Sequence, residues 1–409
     1  MMKWIKKNKK SFVIIVILIF LIIFLCLVGY NLYLVKKFDN QVYNNTYVDR
    51  LDLTNYDFSH AENKINICSE YLLSKKVTFK INGNSYTYTL KDLGFGVDSK
   101  KTIEQIEKYQ DKLSFSDRLL IINKGIKKKF NVYYSVDEDK LSEFFAGVKV
   151  SVDKTAIDGH FDTSDGVKYV EGTDGFSFSV PMSIEIVKDY FLDSVGENIS
   201  IELVGDKVPA NNNDSYASID TMTSSFVTKF DTWVTARATN LRVALSYING
   251  AIIEPGEVFS YYKYAGPYNK AGYVFYYEFV GNGVCQIATT TYNAALLGGL
   301  EIVKRYPHAK KSVYVAGGLD ATVASYSSGW NVDMQWKNTY KYPIYIKAYA
   351  VGGEAHVEFW SNSNAKEGKT YTTESVWLGG RGYKTYLHTF KDGVEIDKSL
   401  IATTWYSED

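Results

Sequence analysis

A chain of 409 residues is long enough for two or three domains. Basic and acidic residues balance at 46 each, which removes the broad positive excess expected of a nucleic-acid-binding protein. Three cysteines do not suggest a disulfide framework, and the remaining composition, rich in tyrosine (34) and poor in proline (6), is that of an ordinary folded protein.

The first ten residues carry Lys3, Lys6, Lys7, Lys9 and Lys10 and no acid, and Phe12–Val35 then runs without charge until Lys36 and Lys37. At about 1.5 Å per residue this run crosses the roughly 30 Å hydrocarbon core, so residues 1–37 are predicted to be a basic tail and a single transmembrane helix. A cleaved signal peptide would have a shorter apolar core and a small-x-small site, which Leu27-Val28-Gly29-Tyr30 does not offer. Leu25 before Cys26 argues against a lipoprotein site. The positive-inside rule keeps the leading lysines in the cytoplasm and puts the rest of the chain outside. That exported part has a net charge near −7, again not a surface for nucleic acid.

Residues 45–205 read as an α+β module. Ser59-His60-Ala61-Glu62 is a capping box, and Ile65, Cys68 and Leu72 recur on one face of the helix behind it, which makes Cys68 a core residue. Val77–Leu90 alternates as a hairpin around Gly83-Asn84. Ile184, Val187 and Phe191 mark a later helix. Residues 206–219, with Pro209-Ala210-Asn211-Asn212-Asn213-Asp214, form the expected linker. A second domain over 220–360 opens with a helix bearing Leu241, Ala244, Leu245 and Ile248. Glu254-Pro255-Gly256-Glu257 is a turn, Tyr342–Ala350 and Ala355–Trp360 alternate as strands, and 361–409 ends in a hairpin across Lys391-Asp392-Gly393. The predicted class is α+β, with mixed or antiparallel strands in the second domain.

The chemistry concentrates at Cys285. In Gly281-Asn282-Gly283-Val284-Cys285-Gln286 a glycine turn runs into a helix, so the thiol faces unpaired N–H groups and the positive end of the macrodipole. That setting favours the thiolate, which is the nucleophile. The N–H groups near Cys285 and Gln286 are placed to hold an oxyanion. A buried, inert cysteine is the competing reading. Motifs for metal ligation or a phosphate-cradling loop do not occur, and no cofactor is expected.

Several ordered stretches carry a resemblance: Ala236-Arg237-Ala238-Thr239-Asn240-Leu241, Pro255-Gly256-Glu257-Val258-Phe259-Ser260, Gly266-Pro267, Gly283-Val284-Cys285-Gln286, Thr289-Thr290, Tyr292-Asn293-Ala294-Ala295, Arg305-Tyr306-Pro307-His308 and Asp320-Ala321-Thr322-Val323. Over some 120 residues the chain resembles the VanW domain family. Tyr47–Leu53, the helix after it and Asp92-Leu93-Gly94 resemble the peptidoglycan-binding module that often precedes such a domain, though a plain spacer fits the same residues. Asn282 interrupts the family's usual three glycines, the segment from Tyr273 to Gly281 is short, and Ala288 stands where serine is common.

Some members of the family are understood as thiol-dependent L,D-transpeptidases, so the resemblance implies a membrane-anchored, extracytoplasmic enzyme acting on peptidoglycan stem peptides. Cys285 is then the nucleophile and His308, the one histidine inside the matched motifs, its base. Asp320 fixes the base, with a turn aspartate as the alternative. Gln286 and Thr289 are assigned to substrate binding, and Arg305 or Arg237 would take a stem carboxylate. A cysteine peptidase of the same stems and a non-catalytic wall-binding protein linked to glycopeptide resistance are the rival readings. The oligomeric state stays open.

Overall fold

The computed structural model describes residues 9–193, 199–277, 279–326, 329 and 331–407. Two compact units divide the chain, Met1–Ala156 with Asp174–Pro209 and Ile157–Thr173 with Ala210–Asp409.

In the first unit, helix α1 (Lys9–Lys37) is long and apolar enough to cross a membrane, and its apolar window is unburied. Its last turn is anchored, because Val35 packs with Tyr43, Ile121 and Ile122. Lys3, Lys6 and Lys7 lie outside the described residues. Strands β1 (Thr46–Val48) and β2 (Leu51–Asp52) precede α2 (Phe58–Ile67) and the short α3 (Ser69–Leu73). The capping box expected from Ser59 is displaced: Asp57 is the N-cap, its carboxylate accepting from the His60 N–H at 2.9 Å. A carboxylate three residues before a free N–H satisfies it directly, and Ser59 is drawn inside the helix. The helix also breaks at Cys68, so Ile65 and Leu72 are fully buried whereas Cys68 is only half-buried.

The hairpin β3 (Lys76–Ile81) and β4 (Asn84–Thr89) pairs Phe79 with Tyr86, but its turn is Asn82-Gly83, one residue earlier than expected. Both turn residues have positive φ, 48° and 78°, the backbone that two-residue hairpins demand. The chain continues through β5 (Phe95–Val97), α4 (Ser99–Asp111), α5 (Phe115–Lys124), β6 (Lys128–Phe130), β7 (Tyr134–Val136) and α6 (Glu138–Val152). It then leaves for β8 (His160–Asp162) and β9 (Lys168–Val170) and returns with β10 (Gly175–Phe178), α7 (Val180–Asp193), β11 (Ile199–Glu202) and β12 (Gly205–Val208). Strand β11 lies parallel to β3, giving a mixed sheet in the order β11-β3-β4. Its core includes Phe79, Leu141, Phe145, Phe178 and Val187.

The β8–β9 hairpin belongs to the second unit, although residues 45–205 read as one module. Side chains decide this: Phe161 rests on Tyr345 with ring centroids 4.5 Å apart, and Lys347 donates to the Thr163 and Gly166 carbonyls. Such long-range contacts leave no local trace in the sequence. The division after Pro209 falls within 206–219, but Asn211 and Asn212 are tied to Asp158 and to the Gly172 N–H.

The second unit adds β13 (Thr221–Lys229), α8 (Thr235–Ile248), β14 (Ile252–Ile253), β15 (Val258–Ser260), α9 (Tyr261–Ala265), β16 (Phe275–Tyr276) and β17 (Phe279–Val280). After α10 (Cys285–Leu297) come β18 (Glu301–Lys304), β19 (Ala324–Ser325), β20 (Asn331–Val332), β21 (Gln335–Lys337), β22 (Ile344–Val351) and β23 (Glu354–Ser361). The tail is β24 (Lys369–Trp377), β25 (Gly382–Lys391) and β26 (Val394–Trp405). Antiparallel sheets β13-β23-β22-β14 and β15-β21-β18 enclose the core. The hairpin expected across Lys391-Asp392-Gly393 exists, turning at Asp392-Gly393, but β24 makes the tail a three-stranded sheet.

Helix α10 is the centre of this unit, with Gln286–Leu296 buried on every face. A run of three threonines is a poor helix former on its own. Here Thr290 and Thr291 return their hydroxyls to the Gln286 and Ile287 carbonyls at 2.8 Å, and packing against β13, β18, β23 and β24 supplies the rest. Gly299 ends the helix at φ 69°, where a Cβ would meet the Tyr371 ring at 2.2 Å.

Candidate active site

Cys285 is the first residue of α10, and the turn before it needs its glycines. Gly281 has φ 74°, and a Cβ there would lie 2.3 Å from the Tyr268 carbonyl oxygen. Gly283 has φ 110°, against Arg237 and Leu241. Asn240, fully buried on α8, clamps this region: its amide nitrogen donates to the Val274 and Asn282 carbonyls at 3.0 Å, and its oxygen accepts from the Val274 N–H. Asn282 therefore holds a defined place in the turn although it interrupts the glycine run. The Gln286 N–H donates back to the Gly283 carbonyl at 3.0 Å and is not open to an oxyanion. The Cys285 N–H, at the first helical position, is one of the donors a helix start leaves over.

The half-buried thiol touches the 320–323 segment. Its Sγ lies 3.3 Å from the Val323 carbonyl, 3.5 Å from the Val323 N–H and 3.5 Å from the Thr322 hydroxyl. His308 is electrostatically coupled to the same sulfur and favours its thiolate. Its Nδ1 is 2.7 Å from Asp320 Oδ2, and its backbone N–H donates to that oxygen, also at 2.7 Å. With Nδ1 held by the carboxylate, Nε2 is the ring nitrogen left for the thiol.

Asp320 is completely buried and fully partnered. Oδ2 takes the two His308 donors, while Oδ1 accepts from Arg305 Nη2 at 3.1 Å and from the Tyr406 hydroxyl at 2.6 Å. Burial pushes its carboxyl up, but the His308, Tyr406 and Arg305 donors outweigh that and hold it below the usual range. Burial likewise pulls His308 down, and Asp320 and Cys285 reverse the effect, leaving it raised to about 9. Burial pushes the thiol up, and His308, the Val323 N–H and the Thr322 hydroxyl bring it below its ordinary value. The three groups together favour thiolate beside imidazolium.

Cys285, His308 and Asp320 lie in one neighbourhood of the second unit. Other assignments change. Arg305 has a side chain only 8 % exposed and donates to the Asp320 and Gly318 carbonyls, the Thr404 hydroxyl and Asp320 Oδ1. Its donors are committed inside the fold, so it supports Asp320 and is not placed to take a substrate carboxylate. Thr289 is fully buried and exchanges hydrogen bonds with the backbone of Ala321, tying α10 to the segment that carries Asp320 and Thr322. Gln286 is also buried: its amide donates to the Thr228 hydroxyl and the Lys229 carbonyl and accepts from Arg237 Nη2 at 2.6 Å. Gln286 nevertheless floors a cleft of about 860 Å³ walled by Arg237, Lys229, Tyr276 and Tyr314.

Tyr406 and Thr404 had no sequence signal. They come from β26 and the residue after it, 86 and 99 positions from their partners. The C-terminal extension is therefore part of the scaffold beneath the base. Of the tyrosines near the turn, Tyr261 is wholly buried and donates to the Val284 carbonyl, whereas Tyr276 lines the cleft and Tyr277 is exposed. Among the described residues no cluster of three or more His, Cys, Asp or Glu is arranged to hold a metal.

A family model described as VanW like protein matches residues 236–360, and a peptidoglycan binding domain model matches residues 78–195. The chain is 28 % identical over 237 residues to the uncharacterized protein YoaR of Bacillus subtilis (strain 168), an alignment covering 56 % of this chain and 76 % of that protein. No solved structure matches. The first family match contains Cys285, His308, Asp320, Arg305 and Arg237, but not Thr404 or Tyr406. The chain therefore carries a VanW domain behind a peptidoglycan-binding domain.

Proposed function

We propose that this protein is a membrane-anchored, extracytoplasmic L,D-transpeptidase that joins peptidoglycan stem peptides through a Cys285 thioester. The observation that carries the reading is His308 held by Asp320 at 2.7 Å and electrostatically coupled to Cys285 at the first turn of α10, the kind of arrangement a thiol nucleophile with an oriented base requires. The two family matches support a cell-wall-associated protein, and α1 is suited to anchor it with its basic end in the cytoplasm.

In this reading the Cys285 thiolate adds to the carbonyl carbon of the third stem residue, and the carbonyl π pair moves to oxygen. The C–N bond to the terminal D-alanine breaks as the tetrahedral species collapses, and the departing amine takes the proton held on His308 Nε2. A side-chain amine of a neighbouring stem then attacks the thioester, gives its surplus proton to His308 and releases the thiolate, leaving a 3–3 cross-link. Asp320 keeps Nδ1 protonated throughout, which fixes the tautomer and stabilises the imidazolium. Arg237, at the cleft wall, is the cation available to a stem carboxylate.

The full chain in detergent, given disaccharide-tetrapeptide, is expected to form dimers with loss of one D-alanine per cross-link. C285A should abolish them, and H308A should slow them by about 10²–10⁴-fold, the usual worth of base catalysis. Shortened monomers alone would replace transfer with hydrolysis. Cross-linking by C285A would refute both and leave a wall-binding scaffold.

A further inference from the structure

Three tyrosines converge on the turn that leads to Cys285. Tyr261 donates its hydroxyl to the Val284 carbonyl at 3.2 Å, and Tyr273 donates to the Ala265 carbonyl at 2.9 Å. Tyr268 packs between them, ring centroids 6.3 Å from each, and only 6 % of it is exposed. Its hydroxyl has no hydrogen-bond partner among the described residues. A buried hydroxyl left unpaired costs about 1–3 kcal/mol, and phenylalanine would fill the same space without that cost. Such a group calls for a partner that arrives from outside.

Its location narrows what that partner is. Cys285 packs against the hydrophobic core that holds all three tyrosines, and the Tyr268 backbone abuts Gly281 at the start of the glycine turn. That turn and the shared core join Tyr268 to the helix start that carries the thiol and the leftover Cys285 N–H. We propose that the Tyr268 hydroxyl is a catalytic hydrogen-bond donor to the oxyanion formed when Cys285 adds to a carbonyl, a role that rests on the acyl-transfer reading above. The Gln286 N–H is committed to Gly283, so the Cys285 N–H needs a second donor, and Tyr268 supplies it. As the sulfur–carbon bond forms, the carbonyl π pair becomes an alkoxide lone pair that accepts from both donors. When the alkoxide collapses, that pair re-forms the carbonyl and the leaving group departs with its bonding electrons. Tyr268 donates a hydrogen bond throughout and keeps its proton, because burial and the nearby thiolate hold its phenol well above the usual value.

The test separates attack on a carbonyl from attack on a saturated carbon. Alkylation by iodoacetamide uses the same thiolate and forms no oxyanion, whereas acylation by 4-nitrophenyl acetate passes through one. With the full chain in detergent, Y268F should lower the rate of the 4-nitrophenolate burst by about 10²–10³-fold, the usual cost of one oxyanion donor. Its iodoacetamide rate should stay within about twofold of wild type. Its thermal midpoint should not fall, in contrast to Y273F, which removes a donor from a backbone carbonyl. Equal loss of both rates, or loss of neither, would overturn the proposal, as would a fall in midpoint matching that of Y273F. If the wild type gives no burst above C285A, the acyl-transfer reading itself fails and takes this role with it.

Discussion

Asp320→Asn removes one negative charge and almost no bulk from a site with no solvent exposure. The carboxylate now accepts four donors, two of them from His308. An amide presents one acceptor and one donor, so either the His308 side or the Arg305–Tyr406 side meets an N–H it cannot accept. Arg305 is left as a buried cation without its counter-charge, and breaking a buried pair in this way costs about 3–5 kcal/mol. A further part depends on pH. His308 rises from 6.5 to about 9 in the fold, a gain worth roughly 3 kcal/mol at ~1.36 kcal/mol per unit, shared between Asp320 and the thiolate. Since the folded value is the higher, this stabilisation is complete below pH 6.5 and is lost as pH rises through about 9. Asp320 has the opposite sense: held below 3.8, it stabilises the fold above that pH and ceases to as pH falls through its lowered value.

Urea unfolding of D320N and wild type between pH 5 and 9 reads the stability part. The deficit of the variant should be largest near pH 5–6 and shrink toward pH 9. The pH profile of iodoacetamide labelling reads the thiol. Without Asp320, only the thiolate opposes burial at His308, the imidazolium is weakened near neutrality, and the labelling limb should move to higher pH, with about tenfold less thiolate for each unit. Y406F is the control: it removes a neutral donor from the same carboxylate, costs about 1 kcal/mol and leaves the charge in place. Superimposable labelling profiles for D320N and wild type would refute the coupling of Asp320 to the thiol.

H308A should slow iodoacetamide labelling of Cys285 at pH 6–7 by at least about tenfold while leaving half-buried Cys68 as slow as before; peptide mapping after partial labelling reads both sites in one sample, and equal rates at the two cysteines would remove the basis for the nucleophile. Arg305→Met should lower stability by about 3–5 kcal/mol by leaving Asp320 buried without its cation, with substrate KM unchanged in whatever protein remains folded; a raised KM with unaltered unfolding would restore Arg305 to carboxylate binding.

The elements that carry the site were legible because their signals are local. A glycine turn entering a helix put Cys285 at the first helical position, and short motifs contained His308 and Asp320. Periodicity likewise marked α7, β22 and β23. What stayed hidden is non-local. Tyr406 reaches Asp320 across 86 residues, and its own neighbourhood in sequence is an unremarkable strand end. Arg305 and Thr289 stand within motifs that suggest ligand contact, yet their polar atoms answer backbone and carboxylate groups that the fold buries beside them. Residues 157–173 join the second unit through Phe161 on Tyr345, a contact that alternation along either segment does not encode.

The burden of polar satisfaction explains why the second unit needs its tail. A carboxylate that orients a base works only if it stays ionised, and a carboxylate with no solvent access stays ionised only if its lone pairs are filled. His308 can fill one oxygen. The other requires a cation and a second donor, and Arg305 must in turn have its own remaining donors satisfied. Thr404 accepts from Arg305, Tyr406 donates to Asp320, and Ser407 donates its N–H to the Ala309 carbonyl just past His308. Strand β26 and the residues just after it therefore complete the electrostatics of the base from beneath. The fold separates the two tasks: α10 and its turn present the nucleophile, and the loop from Arg305 to Asp320 presents the base. The C-terminal strand keeps that loop's buried charge in the state the chemistry uses.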